Sequence, residues 1–76
     1  MEKFKEDNYY LHEVDGDIIY VIEADYRYAT IKIIEDPLDF WGDMVGLVVT
    51  IGSGISEGTY YPIYGYNSKL WKVLNG

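Results

Sequence analysis

The side chains that most often perform catalysis are scarce in this chain. It has no cysteine and a single histidine, His12, whose use as a general base would require a nucleophile and an orienting acid beside it. The serines lie in glycine-rich or terminal segments, and none has the sequence of a nucleophile elbow. We therefore predict that the protein is not an enzyme, and that His12 is a surface or half-buried residue without a catalytic role.

Two short segments have some features of ligand sites. The carboxylates of Asp15 and Asp17 flank Gly16, but a calcium loop needs further oxygen ligands and a bidentate glutamate at a fixed distance. Residues 52–54 are Gly-Ser-Gly, as in a dinucleotide-binding loop, but such a loop must open a helix and the Thr-Tyr-Tyr-Pro at 59–62 is not helical. One histidine without cysteine also disfavours a structural zinc site. The sequence thus predicts no metal and no cofactor.

The charge of the chain is strongly negative and unevenly distributed. The formal net charge is −7, and residues 13–43 contain nine acidic and only two basic residues. Direct binding to nucleic acid or to an anionic membrane is disfavoured, because phosphate contacts require lysine and arginine. The pattern favours a protein partner with a basic surface. The alternative is that the charge only keeps a small domain soluble.

Aromatic residues supply the other candidate contact groups. Nine of the 76 residues are tyrosine, more than the thin core of so short a chain can bury, and tyrosine is enriched in binding surfaces. The segment 35–43 places Phe40 and Trp41 among four acids, which is typical of an anchor ringed by charge or, alternatively, of aromatic residues that cap the core. The predicted partner-binding residues are Glu35, Asp36, Asp39, Phe40, Trp41, Asp43, Tyr60, Tyr61 and Tyr66.

Two β-rich runs separated by Asp15 and Gly16 predict a hairpin with a two-residue turn, since Asp-Gly is a strong hairpin signal. A second reversal around residues 25–26 leads into a strand at 27–34. In this register one apolar face is shared by three strands. Its predicted members are Leu11, Ile18, Tyr20, Ile22, Ile31 and Ile33.

Later segments predict two further strands. Residues 44–51 are apolar on both faces, which favours a central or covered strand. Residues 59–66 form a strand that Pro62 confines to an edge or a bulge. Residues 52–58 are expected to be a mobile loop, and 67–74 fit a short amphipathic helix and, nearly as well, a strand.

The predicted fold class is all-β: a small antiparallel meander of about five strands forming a partly open barrel or sandwich, with a possible short helix at 36–43 or at the C-terminus. The alternative is an α+β roll. We expect a frayed terminus at 1–8 and one domain at 9–74 in a cytoplasmic protein, because no signal sequence or membrane-spanning segment is visible.

These expectations lead to one hypothesis and one alternative about function. The hypothesis is a small acidic domain that inhibits or regulates a partner protein by occupying its basic, nucleic-acid-binding surface. The alternative is a structural or self-associating β module, in which case the protein is a homo-oligomer. Neither requires a direct contact with nucleic acid or membrane.

Overall fold

The computed structural model describes residues 4–52, 60–67, 69 and 70. They form one antiparallel sheet whose strands are β1 (Tyr9–His12), β2 (Ile18–Ala24), β3 (Tyr28–Glu35), β4 (Val48–Gly52) and β5 (Tyr60–Ile63). The strand order is β4-β3-β2-β1-β5, so that a four-stranded meander is extended by β5 at the edge of β1. The predicted all-β class and five-stranded antiparallel meander are therefore confirmed, and the sheet is not closed.

The segments whose conformation the sequence leaves open are 36–43 and the C-terminal residues. The first consists of turns, and the second lies partly outside the described residues. Residues 36–43 form successive turns and no helix. In the C-terminal segment Lys69 and Leu70 have helical backbone, and both amides donate to Asn67 Oδ1, at 3.0 and 3.2 Å. The rest of that segment, and the loop predicted to be mobile from residue 53 onward, lie outside the described residues. No helix in the described part of the chain is long and apolar enough to cross a membrane.

The first hairpin turn differs from the predicted one. The His12 amide donates to the Asp17 carbonyl at 2.8 Å, so the turn between these two paired residues contains four residues, 13–16, rather than two. Gly16 has the expected positive φ, 73°, which glycine adopts without a steric penalty. Tyr9 consequently pairs with Tyr20, and Leu11 pairs with Ile18 rather than with Tyr20.

The predicted register between β2 and β3 is wrong by one residue. Val21 pairs with Ile31, and Tyr20 pairs with Lys32, which places Tyr20 and Ile31 on opposite faces of the sheet. Because side chains alternate along a strand, a shift of one residue exchanges the two faces of β3 relative to β2. The shared face predicted from the sequence therefore does not form.

A β-bulge between Val21 and Glu23 explains which face is buried. Beyond the bulge Glu23 pairs with Thr30 and Ala24 with Ala29, so Glu23 points to solvent and Ala24 packs against the core. Without the extra residue Glu23 would follow Val21 onto the buried face. The core cluster consists of Phe4, Tyr10, Ile19, Val21, Ala29, Ile31 and Tyr60.

The two edges of the sheet and the N-terminal residues complete the fold. Pro62 lies in edge strand β5, as predicted. β4 is the opposite edge, with Val48 55% exposed, so the expectation of a central or covered strand is wrong. Phe4 is buried edge-on against Tyr10, with ring centroids 4.9 Å apart, and the Asp7 amide donates to Val21 O. Phe4 therefore packs on the sheet and the Asp7 backbone is bonded to β2, while residues 5–7 are exposed.

Replacing Ile31 with alanine should lower the free energy of unfolding by about 2–5 kcal/mol, because its side chain is fully buried. Replacing Ile22 with alanine should lower the free energy of unfolding clearly less, because Ile22 lies at the bulge and is 36% exposed. Urea unfolding of both variants checks the register. Equal losses would contradict it, since the register without a bulge buries Ile22 together with Ile31.

Candidate functional site

A row of polar side chains crosses three neighbouring strands at one end of the buried face. Tyr60 of β5 lies opposite His12 of β1, and His12 lies opposite Asp17, which directly precedes β2. All three are buried, and Asp17 has no exposed surface. The same alternation that buries Tyr10, Ile19 and Val21 thus carries His12 and Asp17 inward.

The Asp17 carboxylate is held by donors from two distant parts of the chain. The Trp41 indole N–H donates to Asp17 Oδ2 at 2.8 Å, and the Tyr60 hydroxyl donates to the same oxygen at 2.5 Å. Burial raises the pKa of Tyr60, and its hydrogen bond to Asp17 raises it further. Such donors are required because an unpaired buried carboxylate is strongly destabilising.

The other carboxylate oxygen, Asp17 Oδ1, has a different environment. It receives no hydrogen bond from the described residues and lies 3.2 Å from His12 Nδ1. His12 Nδ1 accepts the Asp15 amide at 3.2 Å and is also 3.2 Å from Asp15 Oδ2. We call these three atoms, His12 Nδ1, Asp15 Oδ2 and Asp17 Oδ1, the acceptor cluster.

Aromatic rings flank the histidine of this cluster. The Tyr60 ring lies 4.8 Å and the Phe40 ring 5.6 Å from the His12 ring, measured between centroids. Phe40 also contacts Trp41 edge-on at 5.3 Å. The segment between β3 and β4 therefore covers the polar row, as the alternative interpretation of Phe40 and Trp41 predicted.

That segment, the connector, is organised by aspartate side chains. Asp36 Oδ1 accepts the Phe40 amide and Asp36 Oδ2 accepts the Trp41 amide, both at 2.8 Å. Asp39 Oδ1 accepts the Asp43 amide at 3.0 Å. Asp39 and Asp43 have positive φ angles of 55° and 61°, a conformation that aspartate and asparagine tolerate better than most residues. Asp36 thus has a structural role in addition to its charge.

The outer side of the connector exposes apolar residues. Leu38, Phe40, Val45 and Leu47 are each more than half exposed, and Asp39 and Asp43 are exposed among them. The Gly46 amide donates to Ile33 O at 2.7 Å, which fixes this part of the connector beside β3. We call the six side chains Leu38, Asp39, Phe40, Asp43, Val45 and Leu47 the connector surface.

The remaining predicted contact residues are divided between other places. Tyr60 belongs to the core and is unavailable to a partner. Tyr61 is exposed, and its hydroxyl donates to Glu13 Oε2 at 3.3 Å. Tyr66 is half-buried on the other face, where its hydroxyl donates to Glu35 Oε2 at 2.8 Å and its ring lies 4.7 Å from Tyr9. The nine predicted residues therefore do not form one surface.

Sequence reasoning missed the acceptor cluster. The sequence pattern indicates a hairpin turn at Asp15 and a weak resemblance to a calcium loop at Asp15 and Asp17, and it presents His12 as an isolated histidine. If the hairpin is given a four-residue turn at 13–16 instead of a two-residue turn, His12 lies opposite Asp17. The longer turn is therefore the assumption that could have revealed the contact between His12 and Asp17. The donors from Trp41 and Tyr60 depend on long-range packing that no local pattern shows.

The Tyr66–Glu35 contact predicts a pH dependence of stability. Burial raises the pKa of Tyr66, and the hydrogen bond to Glu35 raises it further. A group whose pKa is higher in the folded than in the unfolded state contributes stability that is fully present below the unfolded pKa of about 10. This contribution is lost as the pH rises above that value toward the folded pKa. Tyr66→Phe should therefore be less stable than the wild type near neutral pH, and this difference should shrink above about pH 10.

Urea unfolding of wild type and Tyr66→Phe across that pH range checks the prediction. Tyr64→Phe is the control, because Tyr64 is 80% exposed. A difference between wild type and Tyr66→Phe that stays constant with pH would contradict the contact.

Comparison with known proteins finds no relative. No protein-family model, curated protein or solved structure matches the chain. We therefore infer its function from its own side chains and charges.

Proposed function

We propose that this protein is a small acidic protein-binding domain that inhibits or regulates its partner by occupying a basic surface. The connector surface is the observation that carries the proposal. It combines four apolar side chains, each more than half exposed, with the exposed carboxylates of Asp39 and Asp43. Apolar anchors surrounded by polar groups are typical of the centre of protein–protein interfaces.

The charge around the connector surface favours a basic partner. No lysine or arginine occurs between Lys32 and Lys69, so the connector itself contains no cation, and Lys32 lies in β3 opposite Val48. Carboxylates at such a surface could take the place of phosphates on a nucleic-acid-binding protein. The proposed role is then that of a DNA mimic, as in phage-encoded inhibitors. A cytoplasmic location is part of the proposal and is compatible with a chain that has no cysteine.

The positions of the aromatic residues reduce the number of residues that can contact a partner. Phe40 is exposed on the connector surface, whereas Trp41 uses its indole N–H inside the protein. Leu38 is 67% exposed, against 54% for Phe40, and is a second apolar contact residue. Tyr61 supplies an exposed ring on edge strand β5.

A second candidate is self-association through an edge strand. β4 forms one edge of the sheet, and its Val48 side chain is exposed. Exposed apolar edges can pair with a second copy of the same chain. Light scattering coupled to size-exclusion chromatography distinguishes partner binding from self-association, because a chain that is monomeric at working concentration does not self-associate.

If the proposal is correct, neutralising the connector surface should weaken partner binding. The double substitution Asp39→Asn and Asp43→Asn removes two charges and keeps side chains that tolerate a positive φ. Proteins captured on the immobilised wild type are identified, and their association is followed by interferometry. Association should slow at least about tenfold between low and high salt, and it should also slow in the double variant.

The matched control removes the same charge elsewhere. Glu6 and Glu23 are both exposed, and Glu23 lies at the far end of β2 from the connector. The double variant Glu6→Gln with Glu23→Gln should associate at a rate closer to that of the wild type than the Asp39→Asn, Asp43→Asn variant does. Leu38→Ser should bind the partner more weakly than the wild type. The proposal would be overturned if association with the partner is unchanged by salt, by the substitutions at Asp39 and Asp43 and by Leu38→Ser.

A further inference from the structure

The acceptor cluster brings three acceptor atoms close together, and no described residue donates a hydrogen bond to Asp17 Oδ1. His12 Nδ1 lies 3.2 Å from both Asp15 Oδ2 and Asp17 Oδ1, and the three atoms are within 4.8 Å of one another. Because the Asp15 amide donates to Nδ1, the lone pair of this nitrogen is already directed into the turn. Acceptors at such distances repel each other unless a proton or a metal ion lies between them.

The burial of Asp17 strengthens this argument. Its side chain has no exposed surface, and Oδ1 has no hydrogen-bond donor among the described residues, whereas Oδ2 accepts two. Buried polar atoms without a partner are rare, and each calls for a ligand, an ion or a proton. Asp17 Oδ1 lies beside His12 Nδ1, so the missing partner belongs in the acceptor cluster.

We propose that the acceptor cluster binds a divalent transition-metal ion such as Zn²⁺, with His12 Nδ1, Asp15 Oδ2 and Asp17 Oδ1 as its protein ligands. Zinc bonds of about 2.0–2.2 Å place neighbouring ligand atoms roughly 3–3.5 Å apart, which matches the 3.2 Å separations of Nδ1 from both carboxylates. The ligand atoms of the three residues lie within 4.8 Å of one another, so the Asp15 carboxylate must rotate to bring its oxygen to the same ion. Two carboxylates also neutralise a divalent ion. An imidazole ligand favours zinc and related metals over calcium and magnesium.

The surroundings suit such a site. Trp41 and Tyr60 donate to Asp17 Oδ2 and so fix the carboxylate that would hold the ion with Oδ1. The Asp15 side chain is 25% exposed, which gives access from solvent and lets this ligand rotate toward the ion. Binding exchanges the hydrogen bond between the Asp15 amide and Nδ1 for a bond to the metal, and water completes the coordination.

The test uses the full chain without an affinity tag. Titration calorimetry with Zn²⁺ should show one ion per chain, and Mg²⁺ should bind far more weakly. Asp15→Asn should weaken Zn²⁺ binding at least about tenfold, because it removes a ligand. Glu13→Gln is the matched control, since it removes a charge from the same turn outside the acceptor cluster, and it should bind like wild type.

A second readout identifies the ligand atom and detects the competing occupant. In the ¹⁵N spectrum of the imidazole, Zn²⁺ should shift the Nδ1 resonance of His12 in the wild type and in Glu13→Gln. Absence of binding at millimolar Zn²⁺, equal weakening by both substitutions, or an Nδ1 that carries a proton in the presence of Zn²⁺ would overturn the proposal. The last result would show that a proton fills the cluster.

Discussion

The buried carboxylate of Asp17 is the constraint on which the rest of the structure depends. A carboxylate in the interior needs donors, and these come from Trp41 in the connector and Tyr60 in β5. One side chain therefore ties the first hairpin, the connector and the last strand to each other. A chain of this size buries only about 60% of its unfolded surface, so a shared polar contact of this kind matters more than it would in a larger domain.

The connector surface follows from the same contact. Trp41 is drawn inward to Asp17, while the Asp36 carboxylate accepts two connector amides and leaves the outer side to Leu38, Phe40, Val45 and Leu47. The apolar exposure of this segment is thus a consequence of a defined loop conformation. Phe40 joins the proposed binding surface to the acceptor cluster, since it is more than half exposed and its ring also packs on the His12 ring.

The sequence predicts the strands and their order along the chain better than it predicts their faces. Apolar runs, the turn at Asp15–Gly16 and Pro62 were sufficient for a five-stranded antiparallel sheet. The buried face was wrong because His12, Asp17 and Glu23 made the opposite face look polar. The structure buries that face by pairing His12 with Asp17 and by turning Glu23 outward at a bulge. For the site, the exposed acids of the connector were predicted, but the inward use of Asp36, Trp41 and Tyr60 depends on contacts between distant segments.

The most direct test of Asp17 as the organising contact is the hydrogen exchange of the Trp41 indole proton, measured by NMR. The indole N–H donates to a fully buried carboxylate, so its exchange should be slowed at least about tenfold relative to an unfolded peptide. In Asp17→Ala the protection should be lost. An indole proton that exchanges at the unfolded rate in the wild type, or that stays equally protected without Asp17, would contradict the account.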